Sequence, residues 1–205
     1  MRLGFRIITC FLVPLALAAC GAGDDSGPKG QEQGGRPRWK SFSVEINIDQ
    51  KISDSPEATA DVLAAIDFWE TKASRKLFVF RGQWNGQQLI EGGIANPFKS
   101  PVNQAFHQSP WPYEASVLAM NMRVERVGKI EKSLISINDN YLFCFGPCAR
   151  NPVVSFRKVV THELGHFLGF NHNDDTKNVM YAFYRGDQSL AEMSVDWASM
   201  AELIK

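Results

Sequence analysis

Between residues 41 and 49 the chain alternates, with Phe42, Val44, Ile46 and Ile48 apolar and polar residues between them. That period predicts a half-buried strand. Ser55 followed by Pro56 reads as an N-cap and a first helical residue. Val62, Leu63, Ile66, Trp69 and Ala73 then recur at helical spacing and predict a helix. The apolar run Leu77 to Phe80 predicts a short buried strand. Residues 82–114 are rich in Gly, Pro, Asn and Gln and predict an irregular excursion. Alternation returns over Val117 to Val127, with Leu118, Met120, Met122 and Val124 on one side. A further strand falls within Lys129 to Asn138, around Leu134, Ile135 and Ile137. Asn151-Pro152 predicts the start of a second helix, which runs through VVSFRKVVTHELGHFL. Ser194 is expected to cap a last helix carrying Trp197, Met200 and Ile204. No internal repeat is present, and the order strand, helix, strands, helix, helix predicts an α/β sandwich of modest size.

The first 20 residues follow a different pattern. Arg2 and Arg6 precede an apolar run from Ile7 to Ala19, shorter than the ~20 residues a membrane-spanning helix needs. It therefore reads as a secretory leader over residues 1–19. Leu17-Ala18-Ala19-Cys20 resembles the lipobox of bacterial lipoproteins, which implies that Cys20 is lipidated and anchors the protein to a membrane. Each buried CH₂ contributes roughly 0.8 kcal/mol, and stable anchoring takes more than one chain; bacterial lipoproteins carry at least two. Gly21 stands where an Asp would retain the protein at the inner membrane, so the outer membrane is expected where the organism has one. Residues 20–40 form the lipidated cysteine and a tether, because GAGDDSGPKGQEQGGRPR has too little apolar surface to fold. Residues 41–205 make one domain.

Charge narrows the function. The 205 residues carry 22 Lys+Arg and 22 Asp+Glu, dispersed along the chain, so no net field favours nucleic acid. Of the four cysteines, Cys10 and Cys20 belong to the leader, leaving Cys144 and Cys148 in CFGPC. In an oxidising compartment a disulfide across the Gly-Pro turn is expected, with two free thiols or a metal pair as the alternatives.

Three of the four histidines fall in HELGHFLGFNH, residues 162–172. His162 and His166, four apart on a helix, share a face about 6 Å apart along the axis. Two imidazoles so placed converge on one ion, and zinc favours nitrogen ligands. His172 joins them only if the helix stops and turns back. Gly169 sits where that stop is needed, because glycine enters the left-handed region without penalty. Three ligands leave a fourth position open, the arrangement of a catalytic zinc. Glu163 is not needed as a ligand and is placed to act as base toward a water at that position. Five fixed residues in H-E-x-x-H-x-x-G-x-x-H arise by chance on the order of once in 10⁵ chains, so the pattern outweighs a chance cluster on a helix end.

This pattern resembles that of the metzincin zinc endopeptidases, which carry a methionine turn beneath the metal. Here Met180 follows His172 by eight residues, as in matrixins. Matrixins continue Met-Tyr-Pro-x-Tyr, and this chain has Met180-Tyr181-Ala182-Phe183-Tyr184. The resemblance implies a metzincin-like zincin fold: a small twisted, mostly parallel sheet with an antiparallel edge strand, an active-site helix and a C-terminal helix. It implies that Lys129 to Asn138 is the antiparallel edge that pairs with a peptide. It also implies that Tyr181 and Tyr184 wall the pocket for the side chain after the scissile bond. Several positions depart from the pattern. No cysteine-switch pro-peptide lies between Cys20 and the domain, Asn173 stands where serine is usual, and Ala182 replaces the turn proline. Astacins and serralysins place a zinc-approaching tyrosine where Ala182 stands. His107 is the only histidine left for a structural zinc, so a single catalytic Zn²⁺ is expected and Ca²⁺ is left open. The function expected is that of a monomeric, lipid-anchored zinc endopeptidase acting on protein or peptide substrates. The alternatives are a non-catalytic envelope binding lipoprotein and a zinc hydrolase of cell-wall peptides.

Overall fold

The structure, a computed structural model, describes residues 18–20, 36–88, 90–148 and 153–203. The leader before Ala18 and most of the tether, residues 21–35, lie outside the described residues, as do Asn151-Pro152 and Ile204. Strands β1 (Ala18–Cys20), β2 (Arg38–Trp39) and β3 (Val44–Ile48) precede helices α1 (Gln50–Ser53) and α2 (Pro56–Ala73). Strand β4 (Phe78–Gln83) is followed by the hairpin β5 (Ile90–Glu91) and β6 (Ile94–Ala95). Then come β7 (Gln104–Gln108), β8 (Val117–Arg126), β9 (Lys129–Asn138), β10 (Phe143–Cys144) and β11 (Val154–Ser155). Helices α3 (Phe156–Leu168) and α4 (Trp197–Leu203) complete the chain.

Among the described residues the main sheet has seven strands in the order β1, β8, β9, β7, β3, β4, with β2 alongside the start of β9. Every pairing in it is parallel except β8 with β9. The mostly parallel α/β architecture with one antiparallel strand is therefore present. The expected identity of that strand is corrected: β9 lies inside the sheet, between β8 and β7, and the antiparallel strand is β8, which forms the sheet edge beyond the short β1 pairing at Val117 and Ala119. A tight turn at Val127 and Gly128 joins β8 to β9 as a hairpin, and a hairpin reverses the strand that precedes it. Ala18 and Cys20 pair with Val117 and Ala119, so β1 covers one end of that edge.

A second correction concerns residues 82–114. The stretch expected to be irregular contains β7, which pairs with β3 on one side and β9 on the other. Its sequence QAFHQ conceals this because Gln104 and Gln108 are polar yet buried. Loop partners make that burial tolerable. Gln104 accepts from Gln88 Nε2 at 2.7 Å, and Gln108 Nε2 donates to the Gly93 carbonyl at 2.6 Å.

The apolar core lies on one side of the sheet, where α2 and α3 pack together. Helix α2 starts as its sequence predicts: Ser55 Oγ accepts from Ala58 N at 3.1 Å, ahead of Pro56. Val62, Ile66, Trp69 and Ala73 are buried as expected, but Leu63 is 44% exposed. Trp69 Nε1 donates to the Thr161 carbonyl of α3 at 2.8 Å, and Trp39 Nε1 donates to the Phe167 carbonyl at 2.7 Å. Trp39 is thus already part of the folded unit, although it falls in the stretch expected as tether. Ala95, Phe106 and Leu134 form a smaller cluster. Phe106 and Leu134 each neighbour a main-core residue along their strand, Ala105 and Ile135, so by strand alternation this cluster lies on the opposite face. Among the described residues no helix is long and apolar enough to cross a membrane.

Candidate metal centre

Helix α3 begins later than the Asn151-Pro152 cue suggested. Its N-cap is Ser155, whose side chain accepts from Lys158 N, and its first helical residue is Phe156. The helix ends at Gly169, whose φ of 110° only glycine adopts without strain. Gly169 N donates to the His166 carbonyl at 3.0 Å, and Phe170 N donates to the Gly165 carbonyl at 3.0 Å. The chain then turns back toward its own helix, as the spacing to His172 required.

His162, His166 and His172 come together, and one ligand atom from each lies within 4.8 Å of the others. Nδ1 of His162 meets the Val179 carbonyl at 2.8 Å, and Nδ1 of His166 meets the Phe170 carbonyl at 2.8 Å. A carbonyl only accepts, so both Nδ1 atoms carry the proton and both Nε2 atoms keep a lone pair. His166 Nε2 lies 3.2 Å from His172 Nε2. His162 Nε2 is buried with no hydrogen-bond partner among the described residues. A buried, unpartnered acceptor beside two further imidazole nitrogens is what a metal ion would satisfy.

Protonation state agrees. Burial pushes the His162 imidazole down to about 4. His166 is held well below the usual imidazole range, by burial first and then by His162 and His172. Both rings are therefore neutral at pH 7, as metal coordination requires. A three-nitrogen donor set fits zinc and leaves one position open.

Next to Val179, whose carbonyl meets His162, Met180 is 2% exposed and packs close to Gly165 of α3; its N–H is held by Asn178 Oδ1 at 2.9 Å. Asn173 N donates to the Met180 carbonyl at 3.0 Å and closes the loop between His172 and the turn. Gly165 makes this close packing possible. A Cβ there would collide with Met180 Sδ and would come within 2.7 Å of Trp69 Cζ2. The sequence does carry that signal, a glycine inside a helix where it costs about 1 kcal/mol, but the motif alone gave it no role. Arg123 went unnoticed as well. Its Nη1 donates to the His166 carbonyl at 2.6 Å and joins β8 to the end of α3; nothing local to the sequence reveals this.

Glu163 is fully buried, next to His162 in the chain and three residues before His166. Tyr184 lines a cavity of about 420 Å³ beside the start of α3, and its hydroxyl accepts from Ser155 N at 2.8 Å. Tyr181 packs instead on Phe183, with ring centroids 5.7 Å apart. Cys144 and Cys148 are disulfide-bonded, and Gly146 of that loop donates to buried Asp61 at 2.9 Å. His107 is engaged elsewhere: its backbone N–H donates to Asp49 Oδ2 at 2.7 Å, and its Nδ1 lies 3.2 Å from the same oxygen.

The comparisons agree with this geometry. A family model described as matrixin matches residues 38–203. Matrilysin of Rattus norvegicus is 28% identical over 162 residues, covering 75% of this chain and 52% of matrilysin. The chain spans about half the length of that curated relative. With a match that takes in both the sheet and the histidine centre, the chain belongs to the matrixin family of zinc metalloproteases.

Proposed function

We propose that this chain is a zinc-dependent endopeptidase with His162, His166 and His172 as ligands to one zinc and Glu163 as the base. The observation that carries this is the convergence of three histidines, two of them neutral by burial and hydrogen bonding, beside a buried glutamate. Zinc held there supplies Lewis acidity toward a peptide carbonyl and toward water.

The chain's own residues supply the remainder. The Val179 and Phe170 carbonyls fix the tautomers of His162 and His166 and aim both Nε2 atoms inward. Glu163 accepts a proton from the attacking water and returns it to the leaving nitrogen. The β8 edge offers backbone partners to an extended peptide. Val117 to Ala119 of that edge are paired with β1, so while β1 is present a peptide binds beyond them.

Cys20 is proposed as a lipidated anchor in the bacterial envelope, with the outer membrane as its place where one exists. Removal of the leader ahead of a lipidated Cys20 takes Ala18 and Ala19 out of β1 and so bares Val117 to Ala119. Cys20→Ser should then move the protein out of the membrane fraction; retention there in high salt would refute the anchor.

The enzymatic proposal is tested by incubating the full chain, with zinc and after chelation, with a diverse peptide mixture and mapping the cuts by mass spectrometry. Zinc-dependent internal cuts are expected. Binding of zinc and peptides with no cut at all would instead favour the non-catalytic lipoprotein.

A further inference from the structure

The 420 Å³ cavity beside Tyr184 is enclosed by the disulfide loop at Gly146 to Cys148, the start of α3 and the 184–191 loop. It lies close to the metal centre along the helix. Lys158, on its wall, precedes His162 by four residues and so shares its helix face, about 6 Å away along the axis.

Three charged side chains line this cavity: Arg157, Lys158 and Asp187. Two of them are matched. Arg157 Nε donates to Asp61 Oδ1 at 2.8 Å, and Asp187 accepts from Arg185 at 2.8 and 3.0 Å. Lys158 differs. Its Nζ donates to the Arg185 carbonyl at 3.0 Å, lies 3.5 Å from the Gly186 carbonyl, and sits 5.6 Å from the Tyr184 ring centroid. These partners are dipoles and a ring face, not a carboxylate. An ammonium has three donors, so one remains for a ligand. Burial lowers the Lys158 ammonium from its usual range, while the Asp187 and Glu192 carboxylates oppose that effect. The cation has therefore given up hydration that a closer counter-charge would replace.

We propose that this cavity receives the side chain following the scissile bond and that Lys158 makes it select an acidic residue, glutamate or aspartate, at that position. The inference rests on the endopeptidase reading above. A carboxylate entering the cavity meets an ammonium already partly desolvated and held in place by two backbone carbonyls. An apolar side chain there would cover the same ammonium and return nothing.

The test uses the full chain loaded with zinc and peptides identical except for Glu, Gln or Leu after the scissile bond. The wild type should cleave the Glu peptide with a kcat/KM at least about 10-fold above its Gln twin, as expected for one charge-assisted hydrogen bond. Lys158→Met should bring that ratio close to one, whereas Lys158→Arg should preserve it. If Lys158 only pins the 184–191 loop, Lys158→Met would slow all three peptides together at an unchanged ratio, and the proposal fails. A wild-type ratio near one overturns it equally. Should Lys158→Met fail to retain zinc, the wild-type ratio and its persistence in Lys158→Arg decide. No zinc-dependent cut in any peptide would remove the endopeptidase reading itself, and this inference with it.

Discussion

Nδ1 of His162 lies 2.8 Å from the carbonyl of Val179, which ties the first metal-facing ring to the residue before Met180. The bond fixes one tautomer and holds the ring in a fully enclosed site. In the metal-free protein this should make stability depend on pH. The folded imidazole is depressed from 6.5 to about 4, so between those values the unfolded chain binds more protons. Stability therefore falls as pH drops through that window, by roughly 3 kcal/mol from this residue. His166 is shifted in the same direction and should add to the loss. Urea midpoints of the chelated protein from pH 7 to pH 4 would check this, and a flat profile would contradict it.

Glu163→Gln preserves size while removing the basic oxygen. One zinc per chain should remain by elemental analysis, because the three histidines are untouched. Peptide hydrolysis should fall roughly 10²–10⁴-fold, the usual range for a general base. Equal cleavage by wild type and variant would exclude the assigned role.

Gly165→Ala probes the packing against Met180. Alanine is the better helix former by about 1 kcal/mol, so propensity alone predicts a gain. The added methyl meets Met180 Sδ and the Trp69 ring, and overpacking of this kind costs about 1–3 kcal/mol. The methionine can swing aside but the indole is held by the Thr161 carbonyl, so a net loss is expected. A urea midpoint at or above wild type would show that this packing yields.

Tyr184→Phe keeps the ring and removes the acceptor of the Ser155 N–H. That donor sits at the N-cap of α3, and leaving it unpaired should cost about 1–3 kcal/mol. Zinc content should not change, since the ligands lie farther along the helix. Loss of zinc in this variant would show that the N-cap and the ligands are coupled more tightly than the contacts indicate.

The metal centre was legible because its chemistry is local. Two ligands on one helix face and a glycine stop before the third are properties of eleven consecutive residues, 162–172. The start of α2 was legible for the same reason, through Ser55 and Pro56. What failed to show was long-range. Strand β7 reads as polar because the partners that satisfy Gln104 and Gln108, Gln88 and Gly93, lie 16 and 15 residues away. The edge position of β8 is set by the hairpin and by parallel pairings across the chain, which no window of alternating residues records. Asn151-Pro152 is a sound start signal in general, yet Ser155 captured the cap and Val154–Ser155 became strand.

The bond between Trp39 and Phe167 spans 128 residues, and Arg38 Nη1 also reaches the Glu202 carbonyl at 3.4 Å. A ribosome delivers the first partner of each pair long before the second. Until α3 has emerged, Trp39 has no carbonyl for its indole N–H, and the sheet carries β9 without the helix that covers it. The residues that finally enclose Trp39 belong to the same helix that bears His162 and His166. Closure of the domain and assembly of the metal centre thus wait on one segment. A nascent chain stalled before α3 carries neither the core seal nor the chemistry.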